Sequence, residues 1–221
     1  MPNNFPNAPR LVRGGIVTMD ADATAVQGVI AFQYNPETVT RSLQIQAVAG
    51  GQDGVRVDAL RLRGPAVETI KVEAQIDAAD QLEFPDQNPL AVQYGIYPQL
   101  AKLEMLVNPT VETLQADDAM ANAGTLEIIP LEQPVTLFVW SASRVVPVRL
   151  TDFSITEEAF DSNLNPIRAK LSLGMRVLNV DDVGFQHPIG RLFMTYLNNK
   201  EQLALQVKNA AISVLGLGGL P

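Results

Sequence analysis

Two stretches of strict alternation constrain this chain more than any other feature. Between Ala66 and Asp77, Ile70, Val72, Ala74 and Ile76 alternate with Thr69, Lys71, Glu73, Gln75 and Asp77. Farther on, Ile167, Ala169, Leu171, Leu173, Met175 and Val177 alternate with Arg168, Lys170, Ser172, Gly174 and Arg176. A period of two sends successive side chains to opposite faces of a β-strand, so each stretch has one buried and one wetted face. Sheets wetted on one side are antiparallel as a rule, because parallel sheets are covered on both faces by their crossover helices.

The rest of the chain fits round these strands. Ile16, Val17 and Met19 predict a first strand, residues 29–34 a second and residues 39–48 a third. Asp20-Ala21-Asp22 and Asn35-Pro36-Glu37 are turn-like, and Gly50-Gly51-Gln52-Asp53-Gly54 is loop-like. In Val135–Trp140, Val135, Leu137 and Val139 alternate with Thr136, Phe138 and Trp140, so both faces are apolar. Such a strand belongs in the middle of a structure or at a subunit interface, which makes Leu137 and Trp140 candidate interface residues. Between residues 145 and 156 the apolar phase moves from Val148 and Leu150 to Phe153 and Ile155. One extra residue near Thr151-Asp152, a β-bulge, accounts for that shift and would curl the sheet.

Helix signals are fewer. Asn88 and Pro89 suit a cap and first helical position, predicting a helix near residues 88–108, kinked or split at Pro98 and ended by Asn108-Pro109. Residues 110–124 are acidic with few large side chains and are expected to form a mobile loop; residues 188–209 predict a C-terminal helix. The expected division is a flexible arm at residues 1–10, a β-domain at 11–180, and a C-terminal helix with a glycine-rich tail at 181–221. The class is mainly β (α+β): an antiparallel sandwich or open barrel with one central helix and one C-terminal helix. It is not the βαβ alternation of a dinucleotide fold.

Composition excludes several functions. The chain has 221 residues and a net charge of -8, and it shows no basic stripe, so nucleic acid is not an expected partner. There are no cysteines, which removes disulfides, thiolate nucleophiles and cysteine-bound zinc. MPNNFPNAPR has no charged region followed by an apolar one, as a secretory signal would. The apolar end, residues 210–220, is about half the ~20 residues of a membrane helix. A soluble, cytoplasmic protein without membrane insertion is expected.

No residue set argues for chemistry. His187 is the sole histidine and sits at a loop-to-helix junction, so a structural role is expected. Glu157, Glu158 and Asp161 form a carboxylate cluster, but adjacent strand residues face opposite ways and a solvated turn is expected there. Asp20-Ala21-Asp22-Ala23-Thr24 lacks the glycine and terminal glutamate of a calcium loop. The glycines near residue 216 precede no helix and cannot cradle a phosphate. No catalytic residue, cofactor or metal is expected, and the chain does not read as an enzyme.

Two segments carry a resemblance. "IAFQYNPETVTRS" has an apolar strand with an aromatic, Asn-Pro-Glu, then a second strand; "VRLTDFSITEEAFDSNLNPIRAKLSLGMRVL" has Phe160-Asp161, a turn ending in Asn165-Pro166, and a return strand opening with Arg168-Ala169-Lys170. Together, and in this order, they resemble the tube-like, spike-to-tube adaptor proteins of contractile injection systems, over most of residues 14–178. The resemblance marks Phe32, Asn35, Pro36, Glu37, Phe160, Asp161, Pro166, Arg168 and Ala169 as structural motif residues. It implies a structural subunit of a phage-tail-like particle, forming a homo-hexameric ring at the baseplate hub between the spike protein and the inner-tube subunits, with sheath or baseplate wedge proteins as further neighbours. Longer members carry a C-terminal LysM-type domain where this chain has a helix and a glycine-rich end, so the resemblance leaves the adaptor and the inner-tube subunit proper both open. A non-enzymatic ligand-binding β-sandwich is the alternative from another class.

Overall fold

The structure is a computed structural model, and it describes residues 12–20, 22–47, 61–122, 124, 134–210 and 214. The expected N-terminal arm, the Gly50–Gly54 loop and the glycine-rich end lie outside the described residues, apart from Val214. Seven strands are described: β1 Gly15–Met19, β2 Val26–Ala31, β3 Val39–Gln44, β4 Val67–Asp77, β5 Val135–Ser141, β6 Arg144–Phe160 and β7 Pro166–Val177. They form one sheet in the order β2-β1-β5-β6-β7-β4-β3, and every pairing is antiparallel. The fold is thus α+β and strand-rich, but it is one sheet rather than the two of a sandwich, and its edge strands β2 and β3 do not pair to close a barrel.

Short-range signals explain the local elements. Asp20 makes the β1–β2 hairpin turn: its carboxylate accepts the N–H groups of Thr24 at 2.6 Å and Ala25 at 3.0 Å. The two alternating stretches are β4 and β7, paired over Thr69–Asp77 and Arg168–Arg176. The β6–β7 register shifts between Leu150 and Asp152, where the change of apolar phase places a bulge. After the bulge Phe153 and Ile155 lie opposite Leu173 and Leu171, so the apolar side chains return to one face.

Six α-helices are described: α1 Ala79–Leu82, α2 Pro89–Tyr94, α3 Tyr97–Glu104, α4 Val111–Asn122, α5 Val180–Val183 and α6 Pro188–Leu205. The expected helix at 88–108 is split, but the break lies at Gly95-Ile96, with Pro98 in the first turn of α3 where its missing N–H costs nothing. The expected loop at 110–124 is α4 instead. Thr110 starts it by accepting the Thr113 N–H at 3.2 Å, and its Ala, Glu, Gln, Leu and Met residues are good helix formers. It has no apolar stripe, which is why periodicity misses it. The expected turn at Glu157-Glu158 is likewise strand, because β7 extends far enough to pair with both residues.

The principal core gathers Ile16, Phe138, Ile70, Leu173 and Met175 from the sheet with Ile96, Leu100 and Leu103 from the α2–α3 region. α6 adds Phe193 and Tyr196 to it. A second cluster joins Val135 and Leu137 to Ile189 of α6. Strand β5 is therefore apolar on both faces because this chain covers both: Phe138 packs in the first cluster and Leu137 in the second. Leu137 is buried by its own α6 and is not available as an intersubunit contact. No helix among the described residues is long and apolar enough to cross a membrane.

Candidate functional site

The segment 32–38 links β2 to β3, the two edges of the described sheet. Laid flat, β1 and β4 would stand four strand spacings apart, about 19 Å. Yet the Phe32 N–H donates to the Gly14 carbonyl at 2.9 Å beside β1, and the next residue, Gln33, bonds to Asp77 at the end of β4. Neighbouring Cα atoms are about 3.8 Å apart, so the sheet must curl until its two sides nearly meet. The segment crosses the remaining opening.

Amide side chains replace the missing strand ladder there. The Gln33 amide nitrogen donates to the Asp77 carbonyl at 2.7 Å, and the Asp77 N–H donates back to Gln33 Oε1 at 2.9 Å. Asn35 does the same on the other side: its Oδ1 accepts the Gly14 N–H at 2.9 Å and its Nδ2 donates to the Val12 carbonyl at 2.8 Å. Pro36 is buried beside it, Phe32 enters the core, and Glu37 is exposed. Asn35-Pro36-Glu37 is a corner, as expected, and it carries the chain from one sheet edge to the other.

The second motif segment meets the first at Asp77. The Arg168 guanidinium donates to the Asp77 carboxylate at 2.7 Å, on the residue whose backbone pairs with Gln33. Burial works against ionised Asp77, but the Ala79 N–H and Arg168 outweigh it and hold the carboxyl below its ordinary range. Ala169, next to Arg168, is fully buried. Asp161 organises the β6–β7 turn, accepting the N–H groups of Asn163 at 2.7 Å and Asn165 at 2.8 Å and the Asn165 side chain at 2.8 Å. Those bonds, the Asn165 side chain first, keep its carboxyl low. Phe160 and Leu164 remain exposed on this turn.

That turn also fixes the break between α2 and α3. Asn165 donates to the Gln93 carbonyl at 3.1 Å, and Pro166 accepts the Ile96 N–H at 2.9 Å. Gly95 sits between them at φ +61, and a Cβ there would lie 2.1 Å from the Pro166 oxygen. Only glycine fits both the backbone angle and the space.

A cleft of about 520 Å³ with a mixed polar and apolar lining runs beside the corner, with Tyr34 and Glu37 on one wall and Glu73, Ser154, Lys170 and Ser172 on the sheet. It holds no imidazole to activate a serine, because His187 is elsewhere: it caps α6, its Nδ1 accepting the Ile189 N–H at 3.2 Å. Glu158 is paired with Lys170 at 2.7 Å, while Glu157 is exposed, so the carboxylate cluster presents no converging pair.

What the surface does present is sheet edge. β2 pairs only with β1, and β3 only with β4, among the described residues. Val29 accepts the Lys102 ammonium at 3.4 Å on its carbonyl, so that carbonyl points away from the ladder. Val26, Val29, Leu43 and Ile45 are all more than half exposed on these edges. Such edges pair with other strands unless something covers them.

The residue the sequence reading missed is Glu68. It falls on the buried face of β4, only 4% exposed, and three side chains converge on it. Arg41 of β3 lies at 2.6 Å, Lys200 of α6 at 2.9 Å, and the Tyr196 hydroxyl donates at 3.1 Å. Burial opposes the charge, but Arg41 and then Lys200 overcome it, so the carboxyl is held below its usual value. A charged residue in phase with Ile70 and Val72 is the only signal the sequence offers, and its partners lie 27 and 132 residues away. Trp140, stacked with Phe138 at 5.9 Å between ring centres, lines a notch beside this node.

No protein-family model matches the chain, and no curated protein matches it in sequence.

Proposed function

We propose that the chain is a structural subunit of a contractile injection system, forming a hexameric ring at the baseplate hub that joins the spike to the inner tube. The observation that carries the reading is the junction at Asp77. The two segments that resemble the family's opening and closing motifs, more than 100 residues apart in sequence, meet there through Gln33 and Arg168. A match in two short segments gains weight when the same residues hold one structural joint.

The curled sheet, whose edge strands have no second pairing among the described residues, supports the same reading. A ring subunit leaves edges for its neighbours, whereas a self-sufficient monomer blunts or covers them. The mechanism is positional: the ring matches the spike on one side to a stack of tube rings on the other and transmits the push of contraction. Tube subunits, sheath and baseplate wedge proteins are the expected neighbours.

Electron microscopy of the native particle isolated through a tag on this chain tests the proposal. A six-fold ring between spike and tube is the expected result. A monomer that brings down no tube, spike or sheath component under mild conditions overturns it.

A further inference from the structure

Two surfaces formed by the described residues complement each other in charge and polarity. The first is α4, Val111–Asn122, in which no residue is buried. An isolated helix of this length is marginal in water and owes its stability in proteins to packing. α4 carries Glu112, Asp117 and Asp118 and no cation. Val111, Leu114 and Asp118 follow i, i+3, i+7 spacing, so apolar and acidic groups share one face. Val111 is 70% exposed and Leu114 51%.

The second surface is the notch of about 320 Å³ lined by Arg41, Trp140, Arg144, Tyr196, Lys200 and Leu203. Arg41 and Lys200 both bond to buried Glu68, so one carboxylate answers two cations. Arg144, at the β5–β6 turn, has no salt bridge among the described residues. The notch thus gathers three cations against one carboxylate in a chain whose net charge is -8. Leu203 beside it is 52% exposed. Its occupant must be acidic and partly apolar, which is the chemistry of α4.

We infer that α4 of one copy docks in the Arg41–Arg144–Lys200 notch of a second copy. The carboxylates of Asp117 and Asp118 face Arg144 and Lys200, and Leu114 packs on Trp140 and Leu203. No α4 residue lines the notch of its own chain and none is buried there, so the contact is assigned between copies. Two unlike surfaces give a head-to-tail contact, which closes into a ring when the rotation per step allows it. The inference rests on the proposed ring but names a different surface from the sheet edges.

The absence of native cysteines makes the test direct. One full-length chain carries Leu114→Cys and another Ser143→Cys; they are mixed and oxidised, and sedimentation of the unmodified chain is run in parallel. The expected result is a disulfide-linked dimer of the two different chains. Its yield falls about tenfold or more with Arg144→Glu, because like charges now oppose, and returns when the partner carries Asp118→Lys. Circular dichroism and unfolding midpoints of each variant confirm that the fold is kept. A crosslink that forms as readily within one doubly substituted chain at high dilution overturns the contact between copies. A six-fold ring by microscopy with no crosslink overturns this contact and leaves the ring standing. A monomer in sedimentation with no crosslink overturns this contact, and the native-particle isolation decides the ring separately.

Discussion

Gln33 and Asp77 exchange two hydrogen bonds, side chain to backbone, across the opening of the curled sheet. The pair copies one rung of an antiparallel ladder between segments 44 residues apart. Its replacement by Gln33→Leu leaves a partly buried N–H and carbonyl without partners. We expect a loss of about 1–3 kcal/mol in urea unfolding. An unchanged midpoint would show that the opening is held by other contacts.

Gly95→Ala tests the joint between the β6–β7 turn and the helices. The substitution forces a Cβ against the Pro166 oxygen at a φ of +61. A cost of about 1–3 kcal/mol is expected from the backbone angle alone, with more from the clash. Hydrogen exchange should show the Ile96 amide, which bonds to Pro166, losing protection first. Equal protection in the variant would mean that the helix break does not depend on this turn.

The Glu68 node makes stability pH-dependent in a defined direction. Its folded carboxyl lies below the ordinary glutamate value of 4.5, so the unfolded chain takes up the proton first as pH falls. The stabilisation is fully present above pH 4.5 and is lost as pH drops through the lower folded value. Asp77 and Asp161, held below 3.8, add to the loss at lower pH. Glu68→Gln should lower stability at pH 7 and flatten the upper part of this dependence. Urea midpoints from pH 7 to pH 3 decide it; parallel curves for wild type and variant would remove Glu68 from the account. Glu68→Ala leaves Arg41 and Lys200 without their carboxylate but partly open to water, and is expected to cost about 1–3 kcal/mol.

Leu137→Asp separates folding from assembly. Leu137 is 6% exposed and lies with Ile189 of α6, so an unpaired carboxylate there should unfold the monomer or lower its stability by several kcal/mol. Trp140→Ala should act less on folding, because the indole is only half buried and lines the notch. A Leu137→Asp chain with an unchanged thermal midpoint would show that the Leu137–Ile189 cluster does not support the fold.

Much of the sheet was legible because alternation is a local property. β4 and β7 were readable residue by residue, and the phase change at Thr151-Asp152 located the bulge. The corner at Asn35-Pro36 was readable as a corner, since proline restricts its own φ and the residue before it. What it spans was not readable, because that depends on Gly14 and Asp77, residues brought there by the curl. α4 escaped because a helix with no buried residue among the described ones carries no apolar stripe.

By itself, then, the sequence determined the alternating strands β4 and β7, their wet and dry faces, and the bulge, all of which follow from near neighbours in the chain. Only the tertiary structure decided that seven strands make one curled sheet, that α6 and not a neighbour covers Leu137, and that Glu68 is held by Arg41 and Lys200. These outcomes depend on which distant segments share a space. Twist, loop reach and burial of the whole chain settle that together, and no short stretch of residues contains it.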